Sequence, residues 1–406
     1  MKITKWFRKY YNKITSSIAF IPAMIAIGFL LISWGMIEID FSDFGKHVKG
    51  NLSWLSLKDA STARSIVSTV AGALISLTVF SFSLVMIVLN QAASQMSNRM
   101  VSSMIENRFQ QIILGFYIGT IVYSLFLLST IRDVNSGIYV PALSIYLLIF
   151  LTVIDIFLFI YFLDYVTQTV KYETVINRIQ KQTISKMKSA FMESKEESVN
   201  WNDMPATTIK SPESNYFQGI NESKLLAVAT EKNFFIRFLY SPGTYLIKDT
   251  PFMEIYSHEE IEDDCKNDLK STVDFYKGQP IGINANYGFN QLAEVAIKAL
   301  SPGINDPGTA VISLHALSDM FAFRMYHKLP SILSNEKKEA RIYLPSPGFK
   351  EMFDKCIHPI WNYGKSDQYI QTELIKMATQ LKTIDHKRWY TEIFDKLIQE
   401  VEYEKK

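Results

Sequence analysis

Cysteine, histidine and net charge are all scarce in this chain, and each scarcity removes a class of function. Only two cysteines occur among 406 residues, and they lack the Cys-x-x-Cys spacing of a zinc site or a disulfide framework. The 42 basic and 40 acidic residues nearly cancel, which argues against a nucleic-acid partner. The six histidines are scattered without the spacing of metal ligands: His47, His258, His315, His327, His358 and His386.

The sequence signatures of common enzymes are missing as well. There is no phosphate-binding P-loop, no Gly-x-Gly-x-x-Gly after a strand, no Gly-x-Ser-x-Gly and no His-Glu-x-x-His. An acidic cluster runs from His258 to Asp264, but acidic residues in the first turn of a helix account for it electrostatically. We therefore expect no enzymatic activity, no metal site and no cofactor.

Long apolar runs, by contrast, fill the first 165 residues. Four windows reach the roughly 20 residues that cross a hydrocarbon core about 30 Å thick: Ile18 to Ile37, Ser65 to Leu89, Ile112 to Ile131 and Val140 to Leu163. They predict a transmembrane domain of four helices over residues 1–165, with the lipid bilayer as its surroundings. The first window follows a basic segment, as a signal peptide would, but its length and the lack of a small-residue cleavage site indicate a retained anchor.

Basic residues beside these windows predict an orientation. Five Lys or Arg residues precede the first window and five follow the last, and the second connection contains Arg99 and Arg108, whereas the third contains only Arg132. Positive charge resists translocation, so both termini are predicted to face the cytoplasm, in the cell (inner) membrane. The first connection, which has four basic residues, fits this orientation less well.

Small polar residues recur along the second window at steps of three, four or seven, which puts them on one face of a helix. This polar stripe consists of Ser65, Thr69, Gly72, Ser76, Ser83, Asn90 and Ser94. The predicted opposite face carries Leu74, Leu77, Phe82, Val85 and Leu89. The polar stripe predicts either close packing between helices or, around an axis shared by several copies, the lining of a water-filled pathway.

The fourth window contains an aspartate, Asp155, within an otherwise apolar run. A carboxylate at membrane depth costs on the order of 3 kcal/mol on insertion scales, so it needs a partner. One interpretation is an ion or proton site near the polar stripe. The other is an aspartate that hydrogen-bonds Ser or Thr on a neighbouring helix, and the sequence leaves both open.

Beyond residue 165 the pattern becomes that of a cytoplasmic α+β region. A connecting helix and linker are predicted over 166–205, a small β domain of short strands over 206–257, and a helical domain over 258–406. The run from Lys224 to Ala229 is one of the predicted strands. Asp306 followed by Pro307 predicts the start of a helix, since aspartate favours the N-cap and proline the first helical position.

The corner before that helix contains four hydrogen-bonding side chains: Ser301, Asn305, Asp306 and Thr309. The corner is interpreted either as a structural turn between two helices or as a group of side chains that contacts a ligand or a neighbouring subunit. The two interpretations differ in what an Asp306→Ala substitution does, since loss of a cap costs only about 1 kcal/mol.

Tyr287 to Ala310, which reads YGFNQLAEVAIKALSPGINDPGTA, resembles the hallmark of a family of bacterial predicted membrane proteins catalogued as domain of unknown function 2254. Leu77 to Gln95 looks like that family's polar helix, and Asn215 to Ile220 is similar to its first cytoplasmic β segment. The likeness covers nearly the whole chain and implies membership without a mechanism, because the family has no established activity to transfer. Members often carry histidines at the end of the fourth span, where this chain has Tyr161 and Phe162.

Two functional hypotheses follow from the sequence. The first is a homo-oligomeric channel or transporter for a small ion or solute, with the polar stripe lining the pathway. The alternative is a membrane-anchored sensor or scaffold whose cytoplasmic region binds a ligand or partner, while the spans only pack.

Overall fold

The computed structural model describes residues 19–51, 57, 59–95, 108–134, 137–169, 171–192, 204–327 and 331–405. Within them the chain divides into two compact units: the first comprises described residues of 19–94 and 108–171, and the second comprises described residues of 172–405 together with Gln95. The basic N-terminal flank and Arg99, which entered the predicted orientation, lie outside the described residues.

The first unit consists of helices and one short hairpin. Its elements are α1 (Phe20–Phe41), α2 (Asp43–Asn51), α3 (Ala60–Gln95), α4 (Arg108–Thr130), β1 (Arg132–Val134), β2 (Gly137–Tyr139) and α5 (Ala142–Thr169). Four of the helices, α1, α3, α4 and α5, are long and apolar enough to cross a membrane. The prediction of four helices long and apolar enough to span a membrane is confirmed.

Helices α1 and α4 pack closely because two glycines leave room for them. A Cβ atom at Gly115 would lie 2.6 Å from the side chain of Ile25, and one at Gly119 would lie 2.8 Å from the ring of Phe29. The Gly-x-x-x-Gly spacing brings both glycines to one face, as in tightly packed membrane helices. The later glycine, Gly119, contacts the later residue of α1, Phe29, whereas Gly115 contacts Ile25. Helices α1 and α4 therefore run in the same direction.

Helix α5 runs opposite to α1, and α3 runs opposite to α4. The Asp40 carboxylate, near the end of α1, accepts hydrogen bonds from the backbone N–H groups of Leu143 and Ser144 at the start of α5, at 3.2 and 2.7 Å. Arg64, near the start of α3, donates to the carbonyl of Ile131 just after α4, at 3.3 Å. The four helices therefore alternate in direction, and α1 begins on the side of the bundle where α5 ends.

The second unit combines two sheets with helices. Its elements are α6 (Tyr172–Met192), β3 (Ala206–Lys210), β4 (Asn215–Ile220), α7 (Glu222–Glu231), β5 (Phe235–Phe238), β6 (Tyr245–Leu246), β7 (Pro251–Tyr256), α8 (Asp263–Lys270), β8 (Val273–Phe275), α9 (Asn286–Ala299), α10 (Pro307–Tyr326), β9 (Ile332–Ser334), β10 (Ala340–Tyr343), α11 (Phe349–Gly364), α12 (Gln368–Ile384) and α13 (Thr391–Glu404). The strand orders are β3-β7-β5-β10-β9 and β6-β4-β8. Pairs are antiparallel except β5 with β10, where Ile236 lies opposite Ile342.

One predicted strand is wrong. Lys224 to Ala229 lies in helix α7, whose N-cap Asn221 accepts a hydrogen bond from the backbone N–H of Lys224 at 3.1 Å. Leu225 and Ala229 are both buried, which is the four-residue spacing of one helix face. The cap and this spacing outweigh the local β-type composition.

The sheets also extend beyond the predicted β segment 206–257. Strand β8 pairs with β4, and β10 adds to β5, although all of β8, β9 and β10 follow residue 257 in the chain. Ile342 is fully buried in the same core as Ile236 and Ile255. Sheet and helices therefore form one continuous second unit, in which short strands are paired by contacts distant in sequence.

Candidate functional site

The apolar core of the four-helix unit is divided into two clusters. One is built around Phe29, Tyr123 and Leu148, and the other around Val85, Tyr117 and Phe162. Along α5 the change from the first cluster to the second occurs at Asp155, which lies between Leu148 and Phe162. Asp155 is also the central residue of the span Ala142–Gln168, so the division falls at the middle of the helix.

Four polar side chains from three helices meet at this division, and we call them the Asp155 layer: Ser81 of α3, Tyr117 and Thr120 of α4, and Asp155 of α5. The Asp155 carboxylate lies beside the hydroxyl of Thr120. The Tyr117 hydroxyl neighbours both Ser81 and Asp155. Ser81, Thr120 and Asp155 are fully buried, as is Tyr117.

The oxygen atoms of this layer are poorly satisfied. Within the described residues, both carboxylate oxygens of Asp155, the hydroxyl of Tyr117 and the hydroxyl of Ser81 have no partner in hydrogen-bonding geometry. Thr120 donates its hydroxyl proton to the carbonyl of Phe116 at 3.0 Å. Buried polar atoms are normally paired, because an unmade hydrogen bond in an apolar interior costs about 1–3 kcal/mol.

A second buried aspartate in the same unit shows what a paired carboxylate looks like. Asp40 is also fully buried, but it forms an ion pair with Lys49 at 3.0 Å. It also accepts hydrogen bonds from the Ser144 hydroxyl at 2.6 Å and from two backbone N–H groups. Asp40 thus joins α1 to α5 structurally, whereas Asp155 has no comparable set of partners among the described residues.

The polar stripe lies on the opposite side of α3 from the Asp155 layer. Its members from Ser65 to Asn90 are exposed in the single chain, whereas Ala63, Val67, Leu74, Ser81 and Val85 form the buried face of α3. Among the predicted apolar face, Leu74 and Val85 are buried, but Phe82 is exposed. The structure therefore separates the polar stripe from Asp155, which was expected near it. The side chains of Leu89 and Ser94 lie outside the described residues.

The stripe residues from Ser65 to Asn90 are not packed against other described residues of the chain. A Cβ atom at Gly72 would meet no described atom within 4 Å. The hydroxyls of Ser76 and Ser83 donate to backbone carbonyls of their own helix, those of Gly72 and Val79, at 3.0 and 2.8 Å. The small side chains of the stripe are therefore available to contact a neighbouring molecule or the surroundings of the bundle.

The corner before α10 is held together by its own hydrogen bonds. Asp306 caps the helix by accepting from the backbone N–H of Thr309 at 3.1 Å and from its hydroxyl at 2.6 Å. The Ser301 hydroxyl donates to the carbonyl of Lys298 at 2.6 Å. Asn305 is exposed and adopts a left-handed φ of 48°, which asparagine tolerates better than most residues. This arrangement favours the interpretation of the corner as a structural turn.

Comparison with known proteins places the chain among predicted membrane proteins. The profile of a family described as predicted membrane protein, domain of unknown function 2254, matches residues 15–380. The chain belongs to this family. It is similar to the uncharacterized protein Rv1290c of Mycobacterium tuberculosis strain H37Rv and to the uncharacterized protein Mb1321c of Mycobacterium bovis, each with 22% identity over 328 residues. The match covers 78% of this chain and 63% of each relative, so the chain spans less than two thirds of their length. No solved structure gives a significant match.

Two segments that identify the chain with domain of unknown function 2254 contact each other in the second unit. The Tyr287 hydroxyl, from the hallmark, donates to the Gln218 side-chain oxygen at 2.5 Å. The Gln218 amide nitrogen donates in turn to the carbonyls of Tyr276 and Gly278 at 2.8 and 2.9 Å. Gly288 lets α9 approach α6, since a Cβ atom there would overlap Thr183. These hallmark residues therefore join the sheet, α9 and α6.

Sequence reasoning found Asp155 but not the side chains around it. The third window does contain a signal, because Tyr117, Thr120 and Ser124 are spaced by three and four residues and so share one helix face. Ser81 interrupts the apolar face of the second window. Only the packing of three helices shows that Thr120 and Tyr117 lie near the Asp155 carboxylate and that Ser81 lies beside Tyr117.

Proposed function

We propose that this protein is a membrane transport protein of channel or transporter type, and that the moving ion or solute binds at the Asp155 layer. The observation that carries the proposal is the fully buried Asp155 carboxylate at the centre of a span, with both oxygens unpaired among the described residues. Ionisable residues at membrane depth commonly mark ion pathways and proton relays.

The comparison with Asp40 supports a functional role. A carboxylate that only joins helices is stabilised when it is paired, as Asp40 is with Lys49. Leaving Asp155 unpaired destabilises the fold, on the order of 3 kcal/mol on insertion scales. Such a cost is typical of sites whose partner is a ligand, because strained or unsatisfied groups concentrate where a protein binds or moves something.

The polar stripe supplies the second part of the proposal, which is self-association. Because the stripe faces away from its own bundle, copies of α3 would meet along it as small residues allow. In this proposal the chain is a homo-oligomer in the inner membrane, with both termini in the cytoplasm. It has no enzymatic activity and no nucleic-acid partner.

Flux measurements on the purified full chain in liposomes test the proposal. Wild-type protein should conduct at least one small ion or solute from a broad panel, and Asp155→Asn should reduce that flux. Asp164→Asn is the matched control, since Asp164 is an exposed carboxylate on the same helix and its loss should change nothing. Absence of flux for every ion and solute in the panel would refute the transport proposal.

Two further substitutions locate the pathway. Ser76→Leu and Ser83→Leu replace two hydroxyl groups of the polar stripe with larger apolar side chains, and neither residue belongs to the Asp155 layer. If the pathway follows the stripe on a shared axis, these changes should alter flux more than Asp155→Asn does. Cysteines placed along the stripe should then react with water-soluble thiol reagents on successive turns of one face. If these cysteines do not react and no flux is measured, the stripe does not contact water, and the sensor or scaffold hypothesis remains.

A further inference from the structure

The charge balance of the Asp155 layer restricts what it can bind. The layer contains one carboxylate, and within the described residues of α1, α3, α4 and α5 the basic side chains are Arg64 and Arg108, which lie near helix ends. A buried negative charge in an apolar interior must be neutralised, because an unpaired ion is strongly destabilised there. One positive charge is therefore required, and no side chain in this part of the bundle supplies it.

The available ligand atoms are all oxygens. Asp155 offers two carboxylate oxygens, and Ser81 and Tyr117 offer hydroxyl oxygens that have no other partner among the described residues. The Thr120 proton is committed to the Phe116 carbonyl, so the Thr120 oxygen retains lone pairs for a ligand. Oxygen ligands suit hard cations, whereas transition metals favour the nitrogen and sulfur ligands that this layer lacks.

A shared cation would satisfy the unpaired oxygens of the layer together. The Tyr117 hydroxyl neighbours both Ser81 and Asp155, and the side-chain oxygens of all three residues have no partner in hydrogen-bonding geometry among the described residues. A hard cation accepts lone pairs from several oxygen ligands at once.

A single carboxylate indicates a monovalent cation. Calcium sites use several carboxylates among six to eight oxygen ligands, and a divalent ion beside one carboxylate would leave a net positive charge in the apolar core. We propose that the Asp155 layer binds one alkali cation, with Na⁺ as the probe, and that a proton on Asp155 competes with it. This inference rests on the proposed transport function and names the class of ion.

Proton competition depends on the groups that face Asp155. Helix α4 contributes the hydroxyls of Thr120 and Tyr117, and the Ser81 hydroxyl of α3 lies beside Tyr117. The acidic residues of α1, Glu38 and Asp40, lie near the end of that helix, where Asp40 contacts Ser144 at the start of α5. Within the described residues, no charged side chain stands beside Asp155, so lowering the pH should act through Asp155 itself.

Equilibrium binding of radioactive Na⁺ to the purified full chain in detergent tests the inference, with choline chloride holding the ionic strength constant. Wild-type protein should bind about one Na⁺ per chain, unlabelled Li⁺ or Na⁺ should displace it, and acid pH should raise the concentration needed for half-saturation. Asp155→Asn should abolish binding, while Asp164→Asn should retain it.

The neutral ligands have matched controls. Ser81→Ala and Tyr117→Phe should each weaken Na⁺ binding, on the order of tenfold as for supporting groups at other cation sites. Ser68→Ala alters an exposed serine of α3 that is not part of the polar stripe, and Tyr161→Phe alters an exposed tyrosine of α5. Both variants should bind Na⁺ as wild type does. If Asp155→Asn fails to fold, the Ser81 and Tyr117 pair still decides the question.

The possible failures are distinguishable. Absence of Na⁺ binding by wild type, or equal binding by wild type and Asp155→Asn, overturns the cation site. Na⁺ binding without flux in liposomes supports the cation site and refutes transport. Flux that depends on Asp155 without Na⁺ binding overturns the cation site and leaves transport standing, with a proton or another solute as the moving species.

Discussion

Replacing Tyr287 by phenylalanine removes one oxygen atom from the joint between the sheet and α9. Tyr287 and Gln218 are almost fully buried, at 2% and 0% exposure, and their hydrogen bond spans 2.5 Å. The ring still fits, so the change is confined to the hydroxyl. It leaves the Gln218 side-chain oxygen buried without its donor, and an unsatisfied buried acceptor costs about 1–3 kcal/mol.

That free energy converts to a measurable shift in the melting temperature. For units of roughly 150–250 residues, a loss of 1 kcal/mol lowers Tm by about 2–4 °C. Taking about 2 kcal/mol for Tyr287→Phe, we expect the second unit to melt about 4–8 °C lower. Tyr403→Phe is the matched control, because Tyr403 is 80% exposed and its hydroxyl is accessible to water.

The chain provides its own reporter for this melting. Its two cysteines, Cys265 and Cys356, both belong to the second unit, and Cys356 is fully buried. In a Cys265→Ser background, a thiol-reactive dye should label Cys356 only as the second unit unfolds. Thermal scans of the full chain in detergent would then compare variants directly.

A double-mutant cycle separates the hydrogen bond from general packing. Gln218→Leu also removes the donor to the carbonyls of Tyr276 and Gly278, so it should be more destabilising than Tyr287→Phe. Residues that bond directly couple by about 0.5–3 kcal/mol. Equal melting of Tyr287→Phe and Tyr403→Phe, or strict additivity with Gln218→Leu, would refute the proposed joint.

Three further predictions concern other contacts. Asp306→Ala should lower the stability of the second unit by about 1 kcal/mol through loss of the helix cap, seen as a lower Tm in the Cys356 assay; an unchanged Tm would favour a ligand-binding role for the corner. Gly119→Leu should impair assembly of the transmembrane unit by displacing Phe29, whereas Gly72→Leu should leave the folded monomer intact. Gel filtration of the detergent-extracted variants would compare the amounts of folded protein. Burial raises the pKa of the Cys356 thiol to about 12, so iodoacetamide at pH 8 should modify Cys265 first and Cys356 only in denaturant; equal rates in the native protein would contradict the burial.

The four apolar runs and the helix start at Asp306 were predictable because both depend on residues close together in the sequence. A run of apolar residues long enough to cross a bilayer is a local property, because each residue's transfer from water depends mainly on its own side chain. The four spans were therefore predictable within a few residues. The helix start at Asp306 was predictable for the same reason, since capping involves groups only three residues apart.

The prediction of a strand from Lys224 to Ala229 was wrong because β-type composition is a weak preference that tertiary contacts override. The N-cap at Asn221 and the burial of Leu225 and Ala229 decide for a helix. The added strand β10 was also unpredictable, since its partner β5 lies more than a hundred residues earlier in the chain.

The sequence by itself determined that this chain has four candidate membrane spans, a polar stripe on the second and an aspartate in the fourth. Only the tertiary structure decided that the stripe faces away from the bundle and that Asp155 lies near Thr120 and Tyr117 instead. The physical reason is that helix periodicity assigns residues to faces but does not say which face meets which neighbour. That choice depends on the packing of all four helices together, including the glycines that bring α1 and α4 into contact.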